Sequence, residues 1–368
     1  MLNTVSSLLQ HRFGVNYTPS KNWYFCFNDW NAGDIARDLA VIARLGADHI
    51  RVMVVWPWFQ PNPRFVSPVH LDRLDDLMTM AAAEGLDVMP CVYTGWLSGY
   101  RFDPPFLQDE DFYTAPAWAD AQSLLLAALN ERMHAHPNFL SFDIGNEINC
   151  CWKTAPRKGD AWMTRVFSQM QASHPSKIHV NGVDHKPWFQ PHTFSPRALV
   201  AAQQIVTLHC WPFWTGAADR GGPLDKPYTH LGGAKAALAR SFGEAAHKPG
   251  WIQEFGVCGT EMPEADIPRW TEAFVTTAIK GGVSWFTWWA SHNVSRRFDF
   301  HPFEYGLGLI DQDNQIKPQG HLFRELADAY RGKPVVLPAS VPPPPDTPPE
   351  NRDVSATWNW MQDWMAQA

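Results

Sequence analysis

Eight short runs rich in β-branched and aromatic residues recur between longer amphipathic stretches from Phe13 to about Tyr330, and this alternation limits the possible folds more than any other feature. The runs are Phe13–Tyr17, His49–Val55, Leu86–Tyr93, Phe139–Ile144, Ile178–Gly182, Ile205–His209, Gly250–Gln253 and Val283–Trp288. Helices are predicted between them over Asp34–Leu45, Leu71–Glu84, Ala117–His134, Gly159–His174, Gly232–Ala245, Ile267–Lys280 and Gly320–Tyr330. Leu71, Leu74, Leu77 and Met78 show the spacing of a helix that lays one face on a sheet. Repeated βα units build a parallel sheet, and eight of them predict an α/β (β/α)8 barrel, a TIM barrel, with 368 residues leaving room for long loops.

Composition narrows the function classes. A formal net charge of -7 offers no basic field for a phosphate backbone, so nucleic acid is not an expected partner. No glycine-rich phosphate loop follows any predicted strand, and no Cys or His spacing builds a zinc site, so neither a cofactor nor a metal is expected. Residues 1–13 lack a continuous apolar core of the signal-peptide kind, and no run is long and apolar enough to span a bilayer. Six cysteines without a C-x-x-C pair read as reduced thiols, the expectation for a cytoplasmic protein.

Organisation changes near residue 333. Residues 1–333 read as the barrel domain, 334–353 as a proline-rich linker, and 354–368 as an amphipathic segment carrying Val354, Trp358, Met361, Trp364 and Met365 on one stripe. Such a stripe docks on its own barrel or on a second subunit, which leaves a homo-oligomer open.

Two runs carry chemistry. The fourth ends in Phe142-Asp143-Ile144-Gly145-Asn146-Glu147 and the seventh in Gln253-Glu254-Phe255-Gly256, so each delivers a carboxylate to a strand's C-terminal end. Three βα units apart, Glu147 and Glu254 face one another across a barrel mouth, the arrangement that cleavage of a glycosidic bond by paired carboxylates requires. One must hold a proton while the other stays ionised, and Arg51 in the second run is the cation available to keep the second charged. The chain also holds 19 Trp and 22 Phe. Most serve the core, but those at strand ends suit the C–H faces of a sugar.

These residues resemble glycoside hydrolase family 5, over the span from Phe13 to about Tyr330. The resemblance rests on Asn146-Glu147 and Glu254 on strands four and seven, Arg51 on strand two, His209 ending strand six and a Trp ending strand eight. It implies that Glu147 is the acid/base, Glu254 the nucleophile, Asn146 the ligand of the sugar 2-hydroxyl, and Trp288 the platform under the sugar, with Trp285 or Trp289 as alternatives if the register slips. The chain departs from the family where His209-Cys210-Trp211 replaces His-x-Tyr, so that Trp211 stands where a phenol usually meets the nucleophile. Trp96 after strand three, together with the runs Phe13–Ser20 and Trp56–Asn62, is similar to mannan-cleaving members, the exo-acting β-mannosidases in particular. The expected function is a retaining exo-β-mannosidase acting on an oligosaccharide or glycan. An endo-β-mannanase or β-glucanase, or a catalytically silent carbohydrate-binding barrel, are the alternatives.

Overall fold

A computed structural model describes residues 8–106, 110–243, 247–340, 343–345 and 352–368. Eight barrel strands run parallel: β1 Arg12–Asn16, β2 His49–Val55, β3 Asp87–Thr94, β4 Asp143–Asn146, β5 Val180–Gly182, β6 Val206–Cys210, β7 Gly250–Phe255 and β8 Val283–Trp288. They pair in the order β5-β4-β3-β2-β1-β8-β7-β6, a (β/α)8 barrel laddered everywhere except between β5 and β6. At that seam side chains span the gap. Thr207 Oγ1 donates to the Asn181 carbonyl at 2.7 Å, and Gln203 Oε1 accepts from both Asn181 N and Thr207 Oγ1.

The outer helices are α1 Ala32–Arg44, α2 Pro68–Ala83, α3 Pro116–Met133, α4 Pro156–Ser173, α5 Pro196–Ala202, α6 Leu231–Ser241, α7 Ile267–Lys280 and α8 Pro318–Tyr330. Six of these begin one to three residues before the apolar periodicity predicts, and four of the six begin at a proline. Proline at the first turn sets φ for a helix at no hydrogen-bond cost, and Pro68, Pro116, Pro156 and Pro318 each open one. The short α5 was not expected, and the fourth strand starts at Asp143, Phe139 making only an isolated bridge to Val88.

Strand alternation sorts the core into two layers. Outward residues such as Phe13, Val15, Ile50, Val52, Phe286 and Trp288 pack with Leu39, Leu74, Phe274 and Phe323 of the helices. Inward residues build a polar column along the barrel axis. Arg12 pairs with Asp48 and Asp87 at the N-terminal end, Thr287 Oγ1 meets His49 Nε2 and the Trp251 indole at 2.8 Å midway, and Arg51 stands near the C-terminal mouth.

A ninth helix, α9 Val354–Gln367, is capped by Asp353 and lies against the chain's own barrel, burying Thr357, Trp358, Met361 and Met365. Its surroundings fit it closely. All of α6 is buried, and a Cβ on Gly233 would stand 2.9 Å from the Trp364 ring. Burial of the three apolar side chains contributes about 1.5–3 kcal/mol each. Polar ties reach the strand-end loops: Arg352 Nη2 donates to the Pro187 carbonyl, Thr357 Oγ1 to Phe189, and Trp358 Nε1 to Thr215. Of the proline-rich segment, residues 341–342 and 346–351 lie outside the described residues. Among the described residues no helix is long and apolar enough to cross a membrane.

Candidate active site

Glu254 faces the barrel axis because β7 carries a bulge. Leu208 and His209 of β6 align with Ile252 and Glu254, so one extra residue on β7 turns both Gln253 and Glu254 inward while Phe255 packs outward. Glu147 arrives differently. It follows β4 in a left-handed conformation, φ 44° and ψ 39°, with its N–H donating to the Gly182 carbonyl at 2.8 Å. A non-glycine residue there is strained, and such strain is retained where a side chain must be aimed.

Between them stands Arg51, fully buried, with an oxygen acceptor for every N–H. Nη1 donates to Glu254 Oε1 at 2.7 Å and Asn16 Oδ1 at 3.0 Å, Nε and Nη2 donate to Asp143 Oδ2 at 2.9 and 2.7 Å, and Nη2 also reaches Asn146 Oδ1 at 2.7 Å. This packing requires glycine nearby, since a Cβ on Gly182 would meet Gln253 Oε1 at 2.5 Å and Arg51 Nη2 at 2.9 Å. Asn146 is oriented from its other end, donating to the Trp96 carbonyl at 2.6 Å.

His209 joins the two glutamates. Its Nδ1 lies 2.8 Å from Glu147 Oε1 and 3.3 Å from Glu254 Oε2, while Nε2 faces Gln253 Oε1 at 3.1 Å. Burial lowers the His209 pKa and favours the neutral ring. Trp211 Nε1 donates to Glu254 Oε2 at 3.2 Å, filling the donor position that the missing phenol leaves open. One ligand atom each from Glu147, His209 and Glu254 lie within 4.8 Å of one another. A small cation would fit such a set by distance, yet Nδ1 of His209 already faces Glu147 and Nε2 faces Gln253.

The two carboxylates differ in environment. Burial, with Asp184 nearby, pushes Glu147 up to about 8, against the opposing pull of Lys186, Arg51 and Lys235. Burial also raises Glu254, but His209 and Arg51 pull it back and Arg51 bonds it directly. Asp184, which burial alone would raise, is held well below the usual carboxylate range by His185 and Lys186. Burial therefore favours the protonated form at Glu147, while the directly bonded guanidinium favours the ionised form at Glu254.

Above the glutamates is a cavity of about 410 Å³. Asp184, His185, Lys186, Cys150, Trp211 and Trp214 wall it on the β4–β6 side, Trp96, Ser98 and Gly99 after β3, and Trp289, Phe303 and Glu304 after β8. No family model matches the sequence, and no curated protein does. Solved structures do match. A GH5_18 enzyme of Streptomyces cattleya, seen with Manβ1-4GlcNAc, is 28% identical over 97% of this chain and 92% of that one, with a TM-score of 0.88. A GH5_18 protein of Bifidobacterium longum subsp. infantis is 27% identical over 98% and 90%, also at 0.88. This chain is a glycoside hydrolase similar to those of family 5. The exo-β-1,4-mannosidase Op5Man5 of Opitutaceae bacterium strain TAV5, 23% identical over 90% of this chain and 61% of its own, shares the fold with a TM-score of 0.78.

In this hydrolase one sequence-based assignment needs correction. Trp288 is not the sugar platform: it is fully buried on the outer face of β8, packs on Phe255 and Trp270, and donates to the Leu307 carbonyl. Alternation puts Trp285 and Thr287 inside with Phe286 and Trp288 outside, so Trp289, one residue on, returns to the mouth and lines the cavity. Trp285 sits deep in the barrel beside Trp251. Arg51, Asn146, His209, Trp96 and Trp211 all converge on the glutamates or the cavity wall. Asp184, Lys186 and Glu304 were missed; Asp184-His185-Lys186 directly after β5 was a visible charged cluster, whereas Glu304 lies in a loop without periodicity.

Proposed function

We propose that the protein is a retaining, exo-acting β-mannosidase in which Glu147 is the acid/base and Glu254 the nucleophile. The observation that carries this reading is the separation of the carboxylates. An oxygen of each lies within 4.8 Å of the other, which supports the short spacing of about 5–5.5 Å typical of retaining enzymes over the roughly 6.5–9.5 Å of inverting ones. Glu254, charged beside Arg51, attacks the anomeric carbon while protonated Glu147 gives its proton to the departing oxygen. Glu147, now a carboxylate, takes a proton from water, whose oxygen replaces Glu254 at the anomeric carbon. His209 holds Glu147 toward the bond being broken.

Mannose as the glycone is supported by the Streptomyces cattleya enzyme, whose complex holds Manβ1-4GlcNAc, so a short β-mannosyl-GlcNAc glycan is the substrate class we favour. Exo action is supported by a wall across one end of the cavity. The hairpin Trp96–Leu97/Tyr100–Arg101 meets the loop after β8, with the Tyr100 and Phe300 rings 4.9 Å apart, the Tyr100 hydroxyl on the Asp299 carbonyl, and Trp23 packed on Phe102 and Phe300.

The test is NMR of the first product from an aryl β-mannoside, with product sizing from mannotriose beside it. A β-configured mannose, and mannose as the early product alongside mannobiose in equal amounts, are expected. An α-configured product would refute retention. Cleavage only of longer chains would move the function to an endo-mannanase.

A further inference from the structure

Glu304 is a third buried carboxylate in the cavity, and neither step of the mechanism uses it. It lies in the short turn Pro302–Tyr305 after β8, is 9% exposed, and lines the same space as Glu147 and Glu254. Its Oε2 accepts from the Trp289 indole at 3.3 Å. Among the described residues no Lys, Arg or His pairs with it, and burial pushes it up to about 7, against the opposing pull of Trp289 and Ser98. An acidic side chain held out of water beside a second acid is costly. It is not sealed inside the core, because the residue lines the cavity.

Position tells which end of a sugar it meets. Glu304 belongs to the loop after β8 that meets the hairpin of residues 96–101 and lines the cavity with Ser98 and Trp289, at its walled end, whereas Asp184 and Lys186 line it after β5. An exo-acting cavity takes the terminal ring into its walled end, so the aglycone leaves on the other side, toward Asp184 and Lys186. The remainder of the terminal ring then lies toward Trp289 and Glu304. In a pyranose C4 lies across the ring from C1.

We infer that Glu304 is a specificity residue that accepts hydrogen bonds from the 4-hydroxyl, and from the neighbouring 6-hydroxyl, of the terminal mannose, with Trp289 holding the carboxyl in place. This rests on the proposed β-mannosidase reading and deepens it: a sugar substituted at O4, as every internal residue of a β-1,4-chain is, has no hydroxyl to offer and meets the end wall instead.

The experiment compares kcat/KM on an aryl β-mannoside with its 4-deoxy and 6-deoxy analogues for the wild type, Glu304→Gln and Glu304→Ala, with thermal melting of each protein. A site built to bond a hydroxyl discriminates strongly against its loss. The wild type should favour the parent over the 4-deoxy sugar by about 100-fold, and Glu304→Ala should reduce that ratio to about threefold, in line with loss of a charge-assisted bond. Glu304→Gln keeps an acceptor for Trp289 and should lie between the two, so it carries the test should the alanine variant fail to fold. A ratio unchanged in the substituted proteins, or absent from the wild type, overturns the assignment. If the wild type cleaves no β-mannoside at all, the functional reading fails, and that result is distinguishable from failure of Glu304's role.

Discussion

Replacing Arg51 with lysine is a demanding test of how the site is held together. The guanidinium donates five hydrogen bonds, to Asn16, Asp143 twice, Asn146 and Glu254, all in a buried setting. An ammonium has three donors and no fork, so Arg51→Lys forfeits at least two charge-assisted bonds while keeping the charge. At about 1.5–3 kcal/mol each, the loss is about 3–6 kcal/mol. That is a large share of the roughly 5–15 kcal/mol that stabilises a folded domain. Arg51→Met removes the charge as well and strands Asp143 and Glu254 without their cation, a further and larger penalty. The catalytic signature has a defined sign. Arg51 pulls the Glu254 pKa down, attack needs the ionised form, and loss of the cation therefore moves the acid limb of kcat/KM to higher pH. Equilibrium urea unfolding gives the first quantity and a pH–rate profile the second. An Arg51→Lys protein within about 1 kcal/mol of wild type, or an unmoved acid limb in Arg51→Met, would refute the account of Arg51 as organiser of the mouth.

Glu147→Gln should be more stable than the wild type by a margin that widens as pH rises. The folded state holds the Glu147 proton up to about 8 against an ordinary 4.5, so the native protein binds more protons than the unfolded chain in that window and wild-type stability falls across it; parallel melting curves from pH 4.5 to 8 would contradict this. Trp288→Ala should cost about 3–5 kcal/mol of stability and leave KM unchanged, since it empties a packed site behind β8. Trp289→Ala should raise KM, and the reverse pattern would restore Trp288 as the platform.

The general plan of the barrel is legible because period-two strands and period-3.6 helices leave unmistakable patterns, and because Asn146-Glu147 and Glu254 end two of those strands. What escaped detection has physical reasons. Trp288 and Trp289 are adjacent, so which face of β8 turns inward decides which of them meets the sugar, and composition is silent on it. The inward turn of Glu254 depends on a bulge opposite His209 that simple alternation would have placed elsewhere. Glu304 and the hairpin at Trp96 belong to loops whose shape comes from contacts with distant residues such as Phe300 and Trp23, not from their own spacing.

The unladdered seam between β5 and β6 and the position of α9 belong together. Arg352 and Thr357 bond carbonyls of the loop after β5, and Trp358 bonds a carbonyl of the loop after β6, so the last helix bridges the one place where the barrel lacks backbone pairing. A sheet with an unpaired seam opens there first, in a local fluctuation well below the cost of global unfolding. The amide protons flanking the seam and those of α9 should then exchange with solvent as one cooperative unit. Breathing of the Asp184–Lys186 wall would be set by a helix that lines no part of the cavity.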